Sequence, residues 1–146
     1  MLRLFDVRYL EECADMFYDV YSKPPFEYNW IDKKGSYEYI KDLIKIPKFM
    51  GFVYFNEGKL MGVCFGIKND YFSIKRYKIT EFFVKPKYNS KGYGSHFLSE
   101  IENYLCSRGI SAVELDTKKS AEAYRFYKKN GFNDSPSVIH MIKIIS

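Results

Sequence analysis

The stretch "KPKYNSKGYGSHFL", residues 85 to 98, holds a proline, three lysines and two glycines before it turns into apolar, helix-like sequence. A strand ending near Val84, then this basic loop, then a helix start would form an anion site. The first N–H groups of the helix have no intrahelical acceptor, and its dipole favours negative charge. Gly92 and Gly94 let a phosphate approach the backbone closely. Two better-known phosphate loops do not fit. A P-loop needs GxxxxGK[ST], but Lys91 precedes Gly92 and no lysine follows the pair; a dinucleotide fingerprint needs a third glycine where Phe97 stands. Cys13, Cys64 and Cys106 are scattered without CxxC spacing, which indicates neither a disulfide framework nor a zinc site. No metal is expected. His96 and His140 have no partner recognisable in the sequence, and no cysteine sits in a nucleophile motif.

The elements that must position this loop are legible in hydrophobic spacing. "MLRLFDV" alternates Leu2, Leu4 and Asp6 against Arg3 and Phe5, predicting a short first strand. Residues 8 to 21 place Leu10, Cys13, Ala14, Phe17 and Tyr21 at helical intervals until Pro24 and Pro25 stop them. After the aromatic loop "PPFEYNWIDKKGS", a second helix is predicted from Tyr37, Ile40 and Ile44, ending at Pro47. "MGFVYF" and "KLMGVCFGI" flank "NEGK", whose Asn56 and Gly58 supply turn chemistry for a hairpin, and "YKITEFFV" extends the meander. A helix follows from about Gly92 to Ser107, carrying Phe97, Leu98, Ile101, Tyr104 and Leu105, with Gly109 as a left-handed terminator. "ISAVELDT" reads as another strand, joined to "YKITEFFV" by a right-handed parallel crossover. Ser120 is the expected cap of a last helix bearing Ala123, Tyr124 and Tyr127, and "SVIHMIKII" is the expected final strand.

Composition bounds the rest. At 146 residues, 47% hydrophobic and 28% charged, the chain fits one soluble domain, residues 1–146. The net charge of +5 arises from 23 basic residues interspersed with 18 acidic ones, which favours a local anion site over a nucleic-acid track. No apolar run approaches the ~18 residues of a membrane helix, and charge follows Met1 to Phe5 where a signal peptide would have its apolar core. Neither a membrane nor a nucleic-acid partner is expected, and the expected location is the cytoplasm. With 14 tyrosines and 13 phenylalanines, a single aromatic says little by itself.

"VKPKYNSKGYGSHFL" resembles the acyl-CoA signature R/Q-x-x-G-x-G/A of the GCN5-related N-acetyltransferases (GNAT), with Asn89, Gly92 and Gly94 at its three defined positions. "SAEAYRFYKKNGF" is similar to the family's later N-x-x-A-x-x-x-Y-x-K-x-G-F element. Asn89 stands where Arg or Gln is usual, and Ser120 where Asn is usual. The resemblance implies the GNAT acyltransferase fold, an α/β (α+β) arrangement with a mixed, mostly antiparallel twisted sheet and about four helices. It also implies acetyl-CoA as co-substrate. Lys91, Gly92, Tyr93, Gly94 and Ser95 would hold the CoA pyrophosphate, Asn89 would lie beside the phosphates, and Phe83 and Val84 would offer strand-edge groups to the pantetheine arm. Ser120 would sit near that arm, and one of Lys85, Lys87, Arg125 or Lys128 would meet the 3'-phosphate.

Acetyl transfer to an amine needs a neutral amine, a polarised thioester carbonyl and a proton for the departing thiolate. By the resemblance, Glu81 is the base or the anchor of a water, Tyr127 protonates the thiolate, and the N–H of Val84 polarises the carbonyl. Phe26, Tyr28 and Trp30 would wall the acceptor pocket, with Glu27 or Asp32 attracting a cationic amine. The expected protein is an N-acetyltransferase of a small-molecule primary amine, monomeric or homodimeric. A non-catalytic CoA-binding regulatory or sensor module is the alternative.

Overall fold

In the computed structural model, which describes residues 1–24, 26, 32–71 and 73–146, the chain reverses at Glu57 and Gly58, whose φ angles are 52° and 76°. Two left-handed residues match the twist of the strands they join. Asn56 is therefore the last paired residue, opposite Lys59, and the hairpin joins β2 (Phe49–Asn56) to β3 (Lys59–Asn69). β1 (Leu2–Leu4) pairs antiparallel with β2, and β4 (Arg76–Val84) pairs antiparallel with β3. β5 (Ala112–Glu114) lies parallel to β4 after a helical crossover, as the sequence predicts. The result is a mixed, mostly antiparallel five-stranded sheet in the order β1-β2-β3-β4-β5.

These strands belong to a compact unit, Met1–Leu115; a second unit comprises Asp116–Ser146. In the first, α1 (Leu10–Tyr21) buries Leu10, Cys13, Ala14, Met16, Phe17 and Val20. α2 (Lys33–Leu43) buries Ser36, Ile40 and Leu43, a stripe one register away from the predicted Tyr37, Ile40 and Ile44; helical spacing alone fits both. Val53, Val63, Phe65 and Phe83 complete this core. Strand neighbours alternate between faces, so Phe52 and Phe82 point the other way, to α3 (Tyr93–Ser107), where Phe82 stacks on Phe97 and Phe52 meets Tyr104. At the first strand the alternation is corrected: Leu4 is exposed, and Phe5 packs edge-on against Phe49 and Phe65.

α3 ends as predicted. Gly109 is left-handed at φ 80°, its N–H bonds the Cys106 carbonyl, and Ile110 N–H bonds the Leu105 carbonyl, which is the paired closure of a Schellman motif.

In the second unit, α4 (Glu122–Lys129) closes in the same way at Gly131, with Phe132 N–H bonded to the Tyr127 carbonyl. Its N-cap is Ala121, not Ser120, and no side chain caps it. The expected strand over "SVIHMIKII" is not formed. Residues 137–146 are irregular and exposed, Ile139 at 81% and Ile145 at 88%. Alternating apolar residues become a strand only with a ladder partner, and no described strand pairs with this run. Among the described residues no helix is long and apolar enough to cross a membrane.

Candidate active site

Glu81 owes its orientation to an irregularity in β4. Phe65 of β3 pairs with Glu81, but the next residue, Gly66, pairs with Ile79, so Thr80 is an extra residue on β4. Its hydroxyl donates to the Phe65 carbonyl at 3.1 Å. Strict alternation would put Tyr77, Ile79, Glu81 and Phe83 on one face. The bulge divides them, leaving Tyr77 beside Phe52 on the α3 face and turning Glu81 with Phe83 to the face of α1 and α2. Two neighbours hold the bulge. The Tyr77 hydroxyl donates to the Met50 carbonyl at 2.7 Å. Gly66 leaves room that a Cβ would fill, coming within 2.5 Å of the Lys78 carbonyl and the Tyr77 ring.

The turned carboxyl is half-buried and meets a residue that the sequence did not single out. The Tyr39 hydroxyl of α2 donates to Glu81 Oε1 at 2.9 Å, and the Tyr39 ring packs on Phe17 of α1 with centroids 5.4 Å apart. Burial pushes the Glu81 carboxyl up to about 7, against a smaller lowering by the Tyr39 hydrogen bond. Burial, and then the charge of Glu81, holds the Tyr39 phenol well above the usual tyrosine range. A carboxyl that titrates near neutrality has the proton affinity a general base needs at physiological pH. No local signal marks Tyr39, because the pair is 42 positions apart and tyrosine is common in this chain.

β4 runs on into the glycine loop. Lys85 N–H donates to the Met61 carbonyl at 2.8 Å, so its peptide group faces β3. By alternation Val84 faces the opposite edge, and the β5 register stops at Lys78 opposite Glu114. Phe83 differs: its carbonyl faces Gly62 and its side chain is buried, which leaves Val84 as the outward-facing member of the pair. A 3-10 turn over Pro86–Tyr88 follows. Ser90 and Gly92 are both left-handed, at φ 61° and 82°. α3 then begins with no described side chain capping it, and the Gly92 carbonyl accepts the first helical bond, from His96 N–H at 3.1 Å. The N–H groups of Tyr93, Gly94 and Ser95 lie ahead of that bond. Among the described residues, and its adjoining chain apart, nothing lies within 4 Å of where a Gly92 Cβ would be, which leaves room at the cradle for an incoming group.

Asn89 and Lys91 are exposed beside it. The Tyr88 and Tyr93 rings meet edge-on at 4.8 Å, with Lys87 Nζ 5.1 Å from the Tyr88 centroid. A hydrogen bond with Asn56, helped by Lys87 and Lys85, holds the Tyr88 phenol below its usual range.

The other sequence-derived candidates are placed as follows. Tyr127 is buried on α4, its ring 5.2 Å from that of Phe126 and 5.3 Å from that of Phe132. Ser120 is exposed, one residue before the cap of that helix. Phe26 is 42% exposed, with its ring 4.8 Å from that of Tyr21. Glu27, Tyr28 and Trp30 lie outside the described residues. Asp32 is committed elsewhere: its Oδ1 accepts the Gly35 N–H at 2.7 Å and caps α2.

His96 pairs with Glu100 one turn along α3, at 3.0 Å. Cys13 and Cys64 are buried, and burial pushes both thiols up to about 12, which makes them poor nucleophiles. Among the described residues no three His, Cys, Asp or Glu side chains gather as metal ligands would. A cleft of about 310 Å³, lined by Lys68, Lys75, Tyr104 and Arg108, lies at the far end of β4 from the cradle.

The chain matches the model of the acetyltransferase (GNAT) family over residues 11–132, and it belongs to that family of acetyltransferases. No curated protein sequence matches it. Among solved structures, a possible acetyltransferase from Clostridium difficile 630 is similar at a TM-score of 0.78 and 17% identity, covering 100% of this chain and 98% of that one. An aminoglycoside acetyltransferase, meta-AAC0020 from an uncultured soil metagenomic sample, was solved with sisomicin; it gives 0.72 at 16% identity, covering 100% of this chain and 96% of that one. AAC(6')-Iy, solved with the bisubstrate analog CoA-S-monomethyl-acetylneamine, gives 0.71 at 14%, covering 99% and 97%. At these identities the likeness is one of fold.

Proposed function

We propose that the protein transfers an acetyl group from acetyl-CoA to a primary amine of a small molecule, by direct attack of the amine in a ternary complex. The observation that carries this reading is that one strand, β4, presents the Glu81 carboxyl, held by the Tyr39 hydroxyl at 2.9 Å, and leads through a short loop into a helix start with no side-chain cap. A family match that crosses both units, residues 11–132, supports treating them as one catalytic domain.

The fit to CoA is chemical. The N–H groups at the start of α3 suit a pyrophosphate, Lys91 and Asn89 flank it, and the outward peptide of Val84 suits a pantetheine amide. Bound acetyl-CoA supplies an activated thioester. The protein must supply proton management. An alkyl amine with a pKa of ~10.4 is free base in only roughly one molecule in two thousand at pH 7. Glu81 collects that proton, and the Val84 N–H polarises the carbonyl under attack. Tyr127 donates to the departing sulfur; between a free phenol and a free thiolate such a transfer is uphill by about 2 kcal/mol. Ser120 is assigned to the pantetheine arm by its position in the later motif alone. Phe26, the described member of the expected acceptor wall, lies against Tyr21 and is open to an amine. The aminoglycoside acetyltransferases among the fold relatives support a small polar amine in that place.

The test is thiol release from acetyl-CoA across a panel of aminoglycosides, polyamines and amino acids. Turnover with at least one amine is expected. Glu81→Gln should lower it by about a hundredfold, within the usual span for a general base. Tyr127→Phe should slow thiol release while leaving CoA affinity intact. Tight CoA binding with no turnover on any amine would replace the enzyme by a non-catalytic CoA-binding module.

A further inference from the structure

We infer that Tyr39 is the positioning residue of the base: its hydroxyl fixes one oxygen of Glu81 so that the other meets the amine proton. The inference rests on the reading of Glu81 as the base and adds the group that makes it competent. A strand carboxylate without a fixed partner rotates about its terminal bonds and presents either oxygen. Here Oε1 accepts the Tyr39 hydroxyl at 2.9 Å, so Oε2 is the oxygen left for the substrate. The phenol is itself held. Its ring packs on Phe17, which in turn packs on Phe83, two residues along β4 from Glu81. Aromatic contact therefore ties α2, α1 and β4 together around the hydrogen bond.

A phenol suits this task because it remains a donor over the whole range in which Glu81 titrates, and its donation favours the ionised carboxylate. Among the described residues the groups around Glu81 come from α2, β3, β4 and α1. From α2 there is the Tyr39 phenol, from β3 the Phe65 side chain opposite, and from β4 itself Phe83. From α1 come Phe17 and the titratable Tyr21, whose ring lies 5.9 Å from that of Phe83. Among the described residues no cation competes with burial and the Tyr39 bond in setting the charge on Glu81.

Tyr39→Phe removes the donor and keeps the ring. Two measurements are made on it, on wild type and on Tyr37→Phe, an exposed control on the same helix. The first is the ¹³C carboxyl titration of Glu81, assigned by its absence in Glu81→Gln. The second is kcat/KM against pH. In Tyr39→Phe the Glu81 midpoint should rise by about one unit, the size expected for a lost hydrogen bond to a charged group. The acid limb of kcat/KM should rise with it, so that activity falls about tenfold at pH 6 and recovers at pH 9. Tyr37→Phe should leave both curves in place. A merely structural role would lower the rate equally at every pH.

An unmoved Glu81 midpoint in Tyr39→Phe overturns the inference; a wild-type acid limb that vanishes in Glu81→Gln would show that the base itself still stands. A midpoint that moves while the rate profile stays put overturns Glu81 as the base, and the positioning role with it.

Discussion

Burial sets Glu81 against itself. Its carboxyl, ordinarily near 4.5, is raised to about 7 in the folded chain. Between those values the native state holds a proton that the unfolded state has released. Stability tied to this group is therefore greatest at low pH, falls as pH rises through that window and levels above about 7. In the proposed reaction activity should have the opposite sign, because the base form of Glu81 appears as pH rises through about 7. Glu81→Gln removes the titration, so its thermal midpoint should fall less than that of wild type between pH 5 and 7.5. At pH 8 the variant should be at least as stable as wild type although it is far less active. A midpoint that falls with pH as steeply in both proteins would show that the carboxyl is not raised. At this scale the sequence revealed the acid on its strand, and by resemblance its expected role, but not its raised titration. The shift comes from burial, opposed by the Tyr39 hydrogen bond, and contact across 42 positions leaves no trace in local spacing.

Among the elements, strands and helices were legible where periodicity was strong, and the features that aim the site were not. Alternation along "YKITEFFV" would have placed Glu81 with Tyr77; the bulge at Thr80 has no sequence signal, since Thr is an ordinary strand residue. The room for it lies on the neighbouring strand, at Gly66. The final strand failed for a related reason, because pattern describes the residues of a strand and not the partner it needs. Two glycines, each replaced by alanine, separate structure from binding. Gly66→Ala forces a Cβ to 2.5 Å from the Lys78 carbonyl and the Tyr77 ring, and backbone cannot yield as a flexible side chain would. We expect about 2 kcal/mol of lost stability, the usual scale of overpacking, with activity falling as the bulge moves. Gly92→Ala meets open space, so its cost is the left-handed backbone alone, about 1 kcal/mol. Its methyl would nevertheless stand where a phosphate approaches, and CoA affinity should fall tenfold or more. Calorimetric melting and CoA titration of both variants check the pair; equal CoA affinity in Gly92→Ala and wild type would remove the cradle from the donor site.

Across the whole molecule, charge is the property that decides among partners. The two glycine-containing motifs, some thirty residues apart, made the family legible, whereas the aromatic composition expected to select the acceptor suits many amines. A net charge of +5 is compatible with any polyanion, but the basic residues that flank the cradle are Lys85, Lys87 and Lys91, a cluster rather than a track. Binding that engages a few phosphates releases few counterions. CoA affinity should therefore fall by less than about tenfold between 50 and 200 mM salt, whereas a protein reading six to ten phosphates loses ~10³–10⁵ over that range. The same contacts fix how far CoA protects the fold. At one hundred times its Kd it should add about 2.7 kcal/mol to stability, a shift in thermal midpoint that persists at 200 mM salt. Poly(U) RNA at equal phosphate concentration should give no shift. RNA protection that vanishes with salt, together with none from CoA, would make the glycine loop a nucleic-acid contact and remove the donor from the proposed reaction.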